Sequence, residues 1–270
     1  CQIFLGVVLN CHTLTVVRCP HRTTFGLTMY RFLLRPRWLL LHLVVCSSLV
    51  LMINLAFWQL HRLEQRQAFN SLVRSNSSAP VDPMASVLTS SADPESVEWR
   101  PVTVTGSYLA KDAITIVNKS QNGTAGVDSV VPLRTTTGIT VLINRGFIPL
   151  AQSVPAPSTQ VVSVTGFLRR SQTRSFGGAI DSSAGIVLEW QRIDIPRIDA
   201  QIDGDIASMY IQRLDSTPAE GDWPARVINP TLDNGPHLSY AGQWFFFSAC
   251  VIAGWIFVVR RKIKAENSPK

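Results

Sequence analysis

Two apolar segments without acidic or basic residues, one near each end, constrain this chain of 270 residues more than any other feature. Residues 38–60 (WLLLHLVVCSSLVLMINLAFWQL) contain no Asp, Glu, Lys or Arg, and as a helix they extend about 34 Å. Residues 241–259 (AGQWFFFSACVIAGWIFVV) extend about 28 Å by the same helical rise. Both lengths fit the hydrocarbon core of a bilayer, so the sequence predicts two transmembrane helices rather than two buried helices of a soluble protein.

The net charge of +7 arises outside these two segments. Residues 1–37 carry five arginines and no acid, and residues 260–270 carry five basic residues against Glu266. Residues 61–240, by contrast, carry 15 basic and 17 acidic residues, so this domain lacks the basic surface of a nucleic-acid-binding protein. Because cytoplasmic flanks are rich in Lys and Arg, we expect both termini in the cytoplasm and residues 61–240 outside.

The first 28 residues are left out of the fold prediction. They form an apolar, acid-free stretch that begins with Cys1, and we interpret them as a start-site artefact with Met29 as the initiator of a bacterial protein. A mitochondrial targeting segment is the alternative. The expected location is therefore the bacterial plasma membrane, or the mitochondrial inner membrane if the chain is eukaryotic.

The central domain has the pattern of a sheet. Helical spacing continues past the first apolar segment and stops at the loop SNSSAPVDP, and from Val97 onward about seven segments alternate apolar and polar residues. Turn signals such as Asn122-Gly123 favour antiparallel hairpins, and residues 195–202 read as the one clear helix of this domain. The fold class is a membrane protein in which two transmembrane helices flank an extracytoplasmic α+β domain dominated by antiparallel sheet. The predicted segments are a basic cytoplasmic N-terminal segment (1–37), the first transmembrane helix (38–60), the extracytoplasmic domain (61–240), the second transmembrane helix (241–259) and a basic cytoplasmic tail (260–270).

Few residues of the central domain offer chemistry. Residues 61–240 contain no cysteine, which excludes a disulfide framework or a CxxC redox pair, and the chain has no GxSxG, HExxH or glycine-rich phosphate loop. A catalytic triad would have to use His61 or His237, both at the ends of the apolar segments. We therefore do not expect an enzyme. A membrane-anchored hydrolase that uses one of these histidines is kept as an alternative.

His237 is the histidine best placed to bind a ligand. It precedes the second apolar segment, where Asn234 can cap a helix and Pro236 suits its first position. The positive end of the helix dipole disfavours an imidazolium there, so we expect a neutral His237, the form that coordinates iron. Helical spacing puts Tyr240 and Trp244 on the same face as His237.

The first apolar segment offers a second face, because Asn54, Trp58 and Arg62 recur at every fourth residue. If the two faces meet, the outer leaflet holds an aromatic slot with a histidine ligand and with Arg62 or Arg66 near the headgroups. Such a slot suits a haem whose propionates point to water. The alternative is that the aromatic residues are ordinary interfacial anchors and the arginines ordinary snorkelling side chains.

Five stretches in family order give the chain a resemblance to a known family. They are Trp-Gln-x-x-Arg at Trp58, RPVTVTGSY at 100–108, VVPLRTTTGITVLINRGFIP at 130–149, VTGFLRR at 164–170 and PHLSYAGQWFFFSACVIAGW at 236–255. With these motifs and two helices, the chain resembles the Surfeit locus protein 1 family of cytochrome c oxidase assembly factors. Ala56, Arg66 and Phe147 stand where the family usually has Gly, Lys and Trp, and these changes keep size class, charge or aromaticity.

The resemblance implies a non-enzymatic role in inserting haem a into the catalytic subunit of a haem-copper oxidase. It implies that His237 binds the haem iron and that haem a is a transient cargo. The contacts expected for that haem are His237, Trp58, Gln59, Arg62, Tyr240 and Trp244. The implied partners are the oxidase catalytic subunit, the lipid bilayer and a haem a synthase, with no nucleic acid. The alternative is a scaffold that holds the oxidase subunit without a cofactor, and Arg145 is as compatible with a structural role as with a contact to haem or oxidase.

Overall fold

The two apolar segments form the longest helices of the molecule. The structure, a computed structural model, describes residues 31–90, 93–182, 185–202 and 204–267, so the suspected start at Met29 lies outside the described residues. After a 3-10 turn over Arg31–Leu34, helix α1 covers Pro36–Ser77, and α5 covers His237–Asn267. Helix α1 has no internal Gly or Pro, so nothing in its sequence interrupts its 42 residues, which extend about 63 Å.

Both helices are long and apolar enough to cross a membrane. Only 6% of the most apolar window of each is buried, whereas the core helix of a soluble domain is mostly buried. The predicted continuation of the first helix beyond residue 60 is confirmed, because α1 ends only at Ser77.

The chain divides into two units. Of the described residues, 31–62 and 236–267 form the first, called here the helix pair, and those within Leu63–Gly235 form the second, called the barrel unit. The described residues of the barrel unit form eight strands, three short helices and one 3-10 turn. The strands are β1 Asp82–Pro83, β2 Pro101–Tyr108, β3 Ile114–Gln121, β4 Thr124–Thr135, β5 Thr140–Pro149, β6 Val162–Arg170, β7 Glu189–Trp190 and β8 Met209–Thr217. The helices are α2 Met84–Ser90, α3 Pro94–Val97 and α4 Ile195–Asp199, and the turn is Ala110–Asp112.

The sheet closes on itself. Its strand order is β1-β2-β6-β8-β5-β4-β3-β7, and β2 also pairs with β4, so β2, β6, β8, β5 and β4 form a ring of five strands. Gly106 pairs in both ladders of β2, and a Cβ there would lie 2.2 Å from the Arg134 carbonyl oxygen. Gly166, in the matching VTG of β6, sits at a register shift. The two similar VTG segments therefore mark bends in the barrel wall.

The prediction of a sheet-rich α+β domain between two apolar helices is confirmed, but the sheet is mixed. Its long ladders are antiparallel, whereas β1–β2, β3–β7 and β5–β8 pair in parallel. A parallel pair needs a crossover connection, and the long segment between β6 and β8 supplies one. The Asn122-Gly123 turn joins β3 to β4 with positive φ at both residues, as the hairpin signal predicts.

The barrel has a buried core on each face of its wall. Val141 and Ile143 of β5 join a cluster to which all five barrel strands contribute, and Leu142 between them joins a second cluster under α4 and β7. Successive side chains of β5 thus point to opposite faces of the sheet, and both faces are covered. Residues 186–193 are one of the seven segments predicted as strands, but only Glu189–Trp190 form a strand. Beside it, Asp181 accepts from the Gln191 backbone N–H and from the Arg192 side chain.

Arg145 is a structural residue of the barrel. Its side chain is 3% exposed and forms a bidentate ion pair with Glu220, with Nη2 to Oε2 at 2.9 Å and Nε to Oε1 at 3.1 Å. It also donates to the carbonyl oxygen of Pro155 and lies 5.8 Å from the ring centre of Tyr108. Burial and the Glu220 charge raise the pKa of the Tyr108 hydroxyl. Arg145 thus ties two loops to the barrel wall.

We expect Glu220→Gln to lower the melting temperature of the barrel unit by roughly 6 to 12 °C, because a buried pair that loses one charge costs about 3 kcal/mol. Thermal unfolding of the detergent-solubilised full chain, followed by the β-sheet circular dichroism signal, measures the change. The matched control is Asp222→Asn, at an exposed position of the same loop. Equal melting temperatures for the two variants would contradict the structural role of the ion pair.

Asp128 makes stability depend on pH. Burial raises its pKa, opposed by Lys119 and by the amide of Asn144 at 3.2 Å. A carboxyl group whose folded-state pKa is raised stabilises the fold below its unfolded pKa, and this contribution is lost as pH rises through the folded pKa. Asp128→Asn should therefore gain stability relative to the parent chain as pH rises from about 4 to 7. Urea midpoints for both chains at several pH values test this, and a constant difference would contradict it.

Candidate functional site

The helix pair is antiparallel. Its side-chain contacts run in opposite directions along the two helices: Gln59 meets His237, Phe57 meets Phe245, and His42 meets Trp255. Three small residues of the two helices are buried, namely Ala56, Ala241 and Ser248. Position 56, where the resemblance leads us to expect Gly, is therefore buried, and Ala keeps it small.

His237 is the first residue of α5 and is partly buried. Pro236 precedes it and accepts the Tyr240 backbone N–H at 3.2 Å, so the predicted position of His237 in the first helical turn is confirmed. Asn234 Oδ1 accepts from Asn70 Nδ2 at 3.3 Å, and its capping role stays a prediction.

A hydrogen bond to Gln59 fixes the state of the imidazole. His237 Nδ1 lies 2.9 Å from Gln59 Oε1, and an amide oxygen only accepts, so Nδ1 carries the proton. The neutral ring then keeps a lone pair at Nε2. Metal-bound histidines use this arrangement, in which one ring nitrogen donates to a protein acceptor and the other binds the metal. The sequence analysis selected both residues but did not predict that they contact each other.

The other predicted contacts lie on or near the surface of the pair. Trp58 is 53% exposed and Tyr240 is 47% exposed, and both are thus accessible to a planar ligand or to lipid. Trp244 is partly buried and packs edge-on against Phe247 at 6.2 Å. Arg62 is exposed. The face that meets α5 contains Ala56 and Gln59, and Asn54, proposed for that face, instead donates to the Val50 carbonyl of its own helix.

Arg66 has a different role from the one considered for it. It donates to the backbone carbonyl oxygens of Asp233 and Thr231 at 3.1 and 3.2 Å, within the barrel unit. Asn70 and Arg74, one and two turns further along α1, donate to carbonyl oxygens of residues 232–233. This stripe holds the segment that precedes α5, so Arg66 anchors protein backbone and not a lipid headgroup.

One polar residue of the helix pair escaped the sequence analysis. His42 Nδ1 accepts a hydrogen bond from Trp255 Nε1 at 3.0 Å. The available signal was a lone ionisable side chain inside an apolar run, which marks a functional position by default. A count of Asp, Glu, Lys and Arg alone leaves this histidine out.

The chemistry of the site depends on a single imidazole. Within residues 31–90, 93–182, 185–202 and 204–267, no group of three His, Cys, Asp or Glu side chains is placed to hold a metal ion. A lone histidine with a free Nε2 suits a metal whose other ligands come from a prosthetic group, and haem iron is such a metal. The flanking aromatic rings suit the faces of a macrocycle. The residues present therefore fit a haem.

The comparisons with known proteins agree with this organisation. The SURF1 family model matches residues 46–249. An uncharacterised SURF1-like protein of Mycobacterium bovis is 30% identical over 247 residues, which are 88% of this chain and 89% of that protein. SURF1-like proteins of Monosiga brevicollis and Rickettsia felis are 27% and 23% identical, each over 82% of this chain and over 88% and 96% of their own lengths. The chain therefore belongs to the SURF1 family.

Proposed function

We propose that the chain is a membrane assembly factor for a haem-copper cytochrome c oxidase, and that it holds haem a at the His237 end of the helix pair before the haem enters the catalytic subunit. The observation that carries the proposal is the hydrogen bond from His237 Nδ1 to Gln59, which leaves Nε2 free to bind iron. Haem a is a transient cargo, and the chain has no catalytic role. The catalytic subunit is the main partner, and a haem a synthase is a second one.

Each residue of the proposed site has its own role in binding the haem. His237 supplies the axial nitrogen, and Gln59 orients the ring and holds its proton at Nδ1. Trp58, Tyr240 and Trp244 offer aromatic faces to the macrocycle, and Arg62 offers a cation to a propionate. Since most of these side chains are half exposed, the site is open at the surface of the pair. An open site suits a cargo that must pass to a partner.

The proposed membrane placement puts both termini in the cytoplasm and the barrel unit outside, in a bacterial plasma membrane. The antiparallel contacts support it, because they bring the basic flanks of α1 and α5 to the same end of the pair. Two basic flanks at one end fulfil the positive-inside rule together. The His237 site then lies at the opposite, outer end.

Single cysteines test this placement. We expect Thr159→Cys, in an exposed loop of the barrel unit, to react with a membrane-impermeant maleimide in intact cells. Ala265→Cys, in the last turns of α5, should react only after the membrane is permeabilised. Labelling is measured above that of the parent chain, which already contains five cysteines. The reverse pattern would contradict the proposed orientation.

The haem content of the purified chain and its variants tests whether His237 binds the haem iron. We expect the chain purified from cells that make haem a to show a haem absorption band, and His237→Gly to lose it and to regain it with added imidazole. Gln59→Leu should weaken haem binding by about 10- to 100-fold, since an outer partner of a metal ligand contributes that much. Gln59→Glu, which keeps an acceptor, should retain the haem. The matched control is Leu238→Ala, an exposed neighbour in the same turn.

The same variants separate haem delivery from a pure scaffold. A scaffold without cofactor predicts that oxidase assembly is normal in His237→Gly cells and fails when the barrel unit is deleted. Haem delivery predicts that His237→Gly cells accumulate catalytic subunit without haem a. Normal oxidase activity in these cells, with a purified chain that has no haem band, would overturn the proposal.

A further inference from the structure

A second histidine of the helix pair has the opposite proton arrangement to His237. Trp255 Nε1 can only donate, so His42 Nδ1 accepts at 3.0 Å and carries no proton. The neutral ring of His42 therefore has its proton at Nε2 and offers a hydrogen-bond donor where His237 offers a lone pair. A donor inside an apolar segment needs an acceptor, because an unpaired polar group in hydrocarbon costs free energy. An iron ion is not such an acceptor.

A groove lies beside this donor. It has a volume of about 290 Å³ and is lined, apart from His42 and Trp255, by Val45, Cys46, Leu49 and Ile252. Its walls are almost wholly apolar, and they lie between the two helices. The apolar lining of the groove suits a hydrocarbon chain, with one polar hydrogen at His42.

Each of the two helices carries an arginine five residues from the groove. Arg37 precedes His42 by five residues and Arg260 follows Trp255 by five, which is about 7.5 Å along each helix. Because the helices are antiparallel and His42 contacts Trp255, both arginines lie on the same side of the groove. Arg35 and Arg261 add to this cluster, and all four side chains are exposed. The headgroup layer of one leaflet is roughly 5 to 7 Å thick, so the arginines reach phosphate depth when His42 lies at ester depth.

We propose that this end of the helix pair binds an anionic phospholipid. The phosphate group meets Arg37 and Arg260, a glycerol ester carbonyl accepts from His42 Nε2, and the acyl chain fills the groove. In the lipid, the phosphate is followed by the ester carbonyl and then by the acyl chain. Along the helices, the arginines, His42 and the apolar groove follow one another in the same order. A zwitterionic lipid gains less from the arginine cluster, and a lipophilic quinone brings a carbonyl without a charge. The proposal uses the membrane placement proposed above and not the haem site.

Lipid binding to the detergent-purified full chain tests it, with bound lipid counted by native mass spectrometry. We expect phosphatidylglycerol to bind more tightly than phosphatidylcholine with the same chains. Arg37→Gln combined with Arg260→Gln should weaken phosphatidylglycerol binding roughly thirtyfold and leave phosphatidylcholine nearly unchanged. Equal binding of both lipids to the parent chain, or tighter retention of a quinone, would overturn the assignment.

A diether phosphatidylglycerol isolates the contribution of His42. It lacks the ester carbonyls, so the parent chain should bind it about fivefold more weakly than the diester. His42→Leu should abolish this preference, His42→Gln should restore it with an amide N–H, and Cys250→Ala, an exposed position of α5, should not alter it. The comparison on the parent chain needs no variant to fold, and equal affinities there would overturn the role of His42. Unchanged haem content in the arginine variants separates this site from the haem site.

Discussion

The side-chain packing of α1 against α5 is the contact on which the helix pair depends. Phe57 and Phe245 pack edge to face with their ring centres 5.9 Å apart, and the small residues Ala56, Ala241 and Ser248 of the two helices are buried. In lipid, water does not drive helices together, so packing and polar contacts must do so. This packing sets the register that brings Gln59 to His237 at one end and Trp255 to His42 at the other. The two polar contacts then give each histidine a defined proton position.

The barrel unit obtains its rigidity by different means. Five strands close a ring, two glycine positions allow its wall to bend, and apolar clusters cover both faces of that wall. The buried ion pair of Arg145 with Glu220 ties surface loops to the ring, so the Asn-Arg-Gly segment serves the fold directly. A closed barrel leaves few unpaired strand edges.

Much of this organisation was predictable from the sequence, and what was missed has physical reasons. Charge-free length identified both helices, alternation identified most strands, and the position of His237 before an apolar segment identified the candidate ligand. The ring closure was not predictable, because a strand that pairs on both sides looks like any other strand. The partner of His237 depends on helix rotation, which spacing within one helix cannot fix. His42 was missed because histidine is uncharged at neutral pH and was not counted as an interruption.

The two interhelical hydrogen bonds lie 17 residues apart on α1, which is about 26 Å along its axis. If either helix slides or rolls as a rigid rod, both bonds break together. Only bending of a helix can therefore break one of these hydrogen bonds and leave the other in place. A movement of a whole helix at the His237 end is therefore transmitted to the His42 end of the pair.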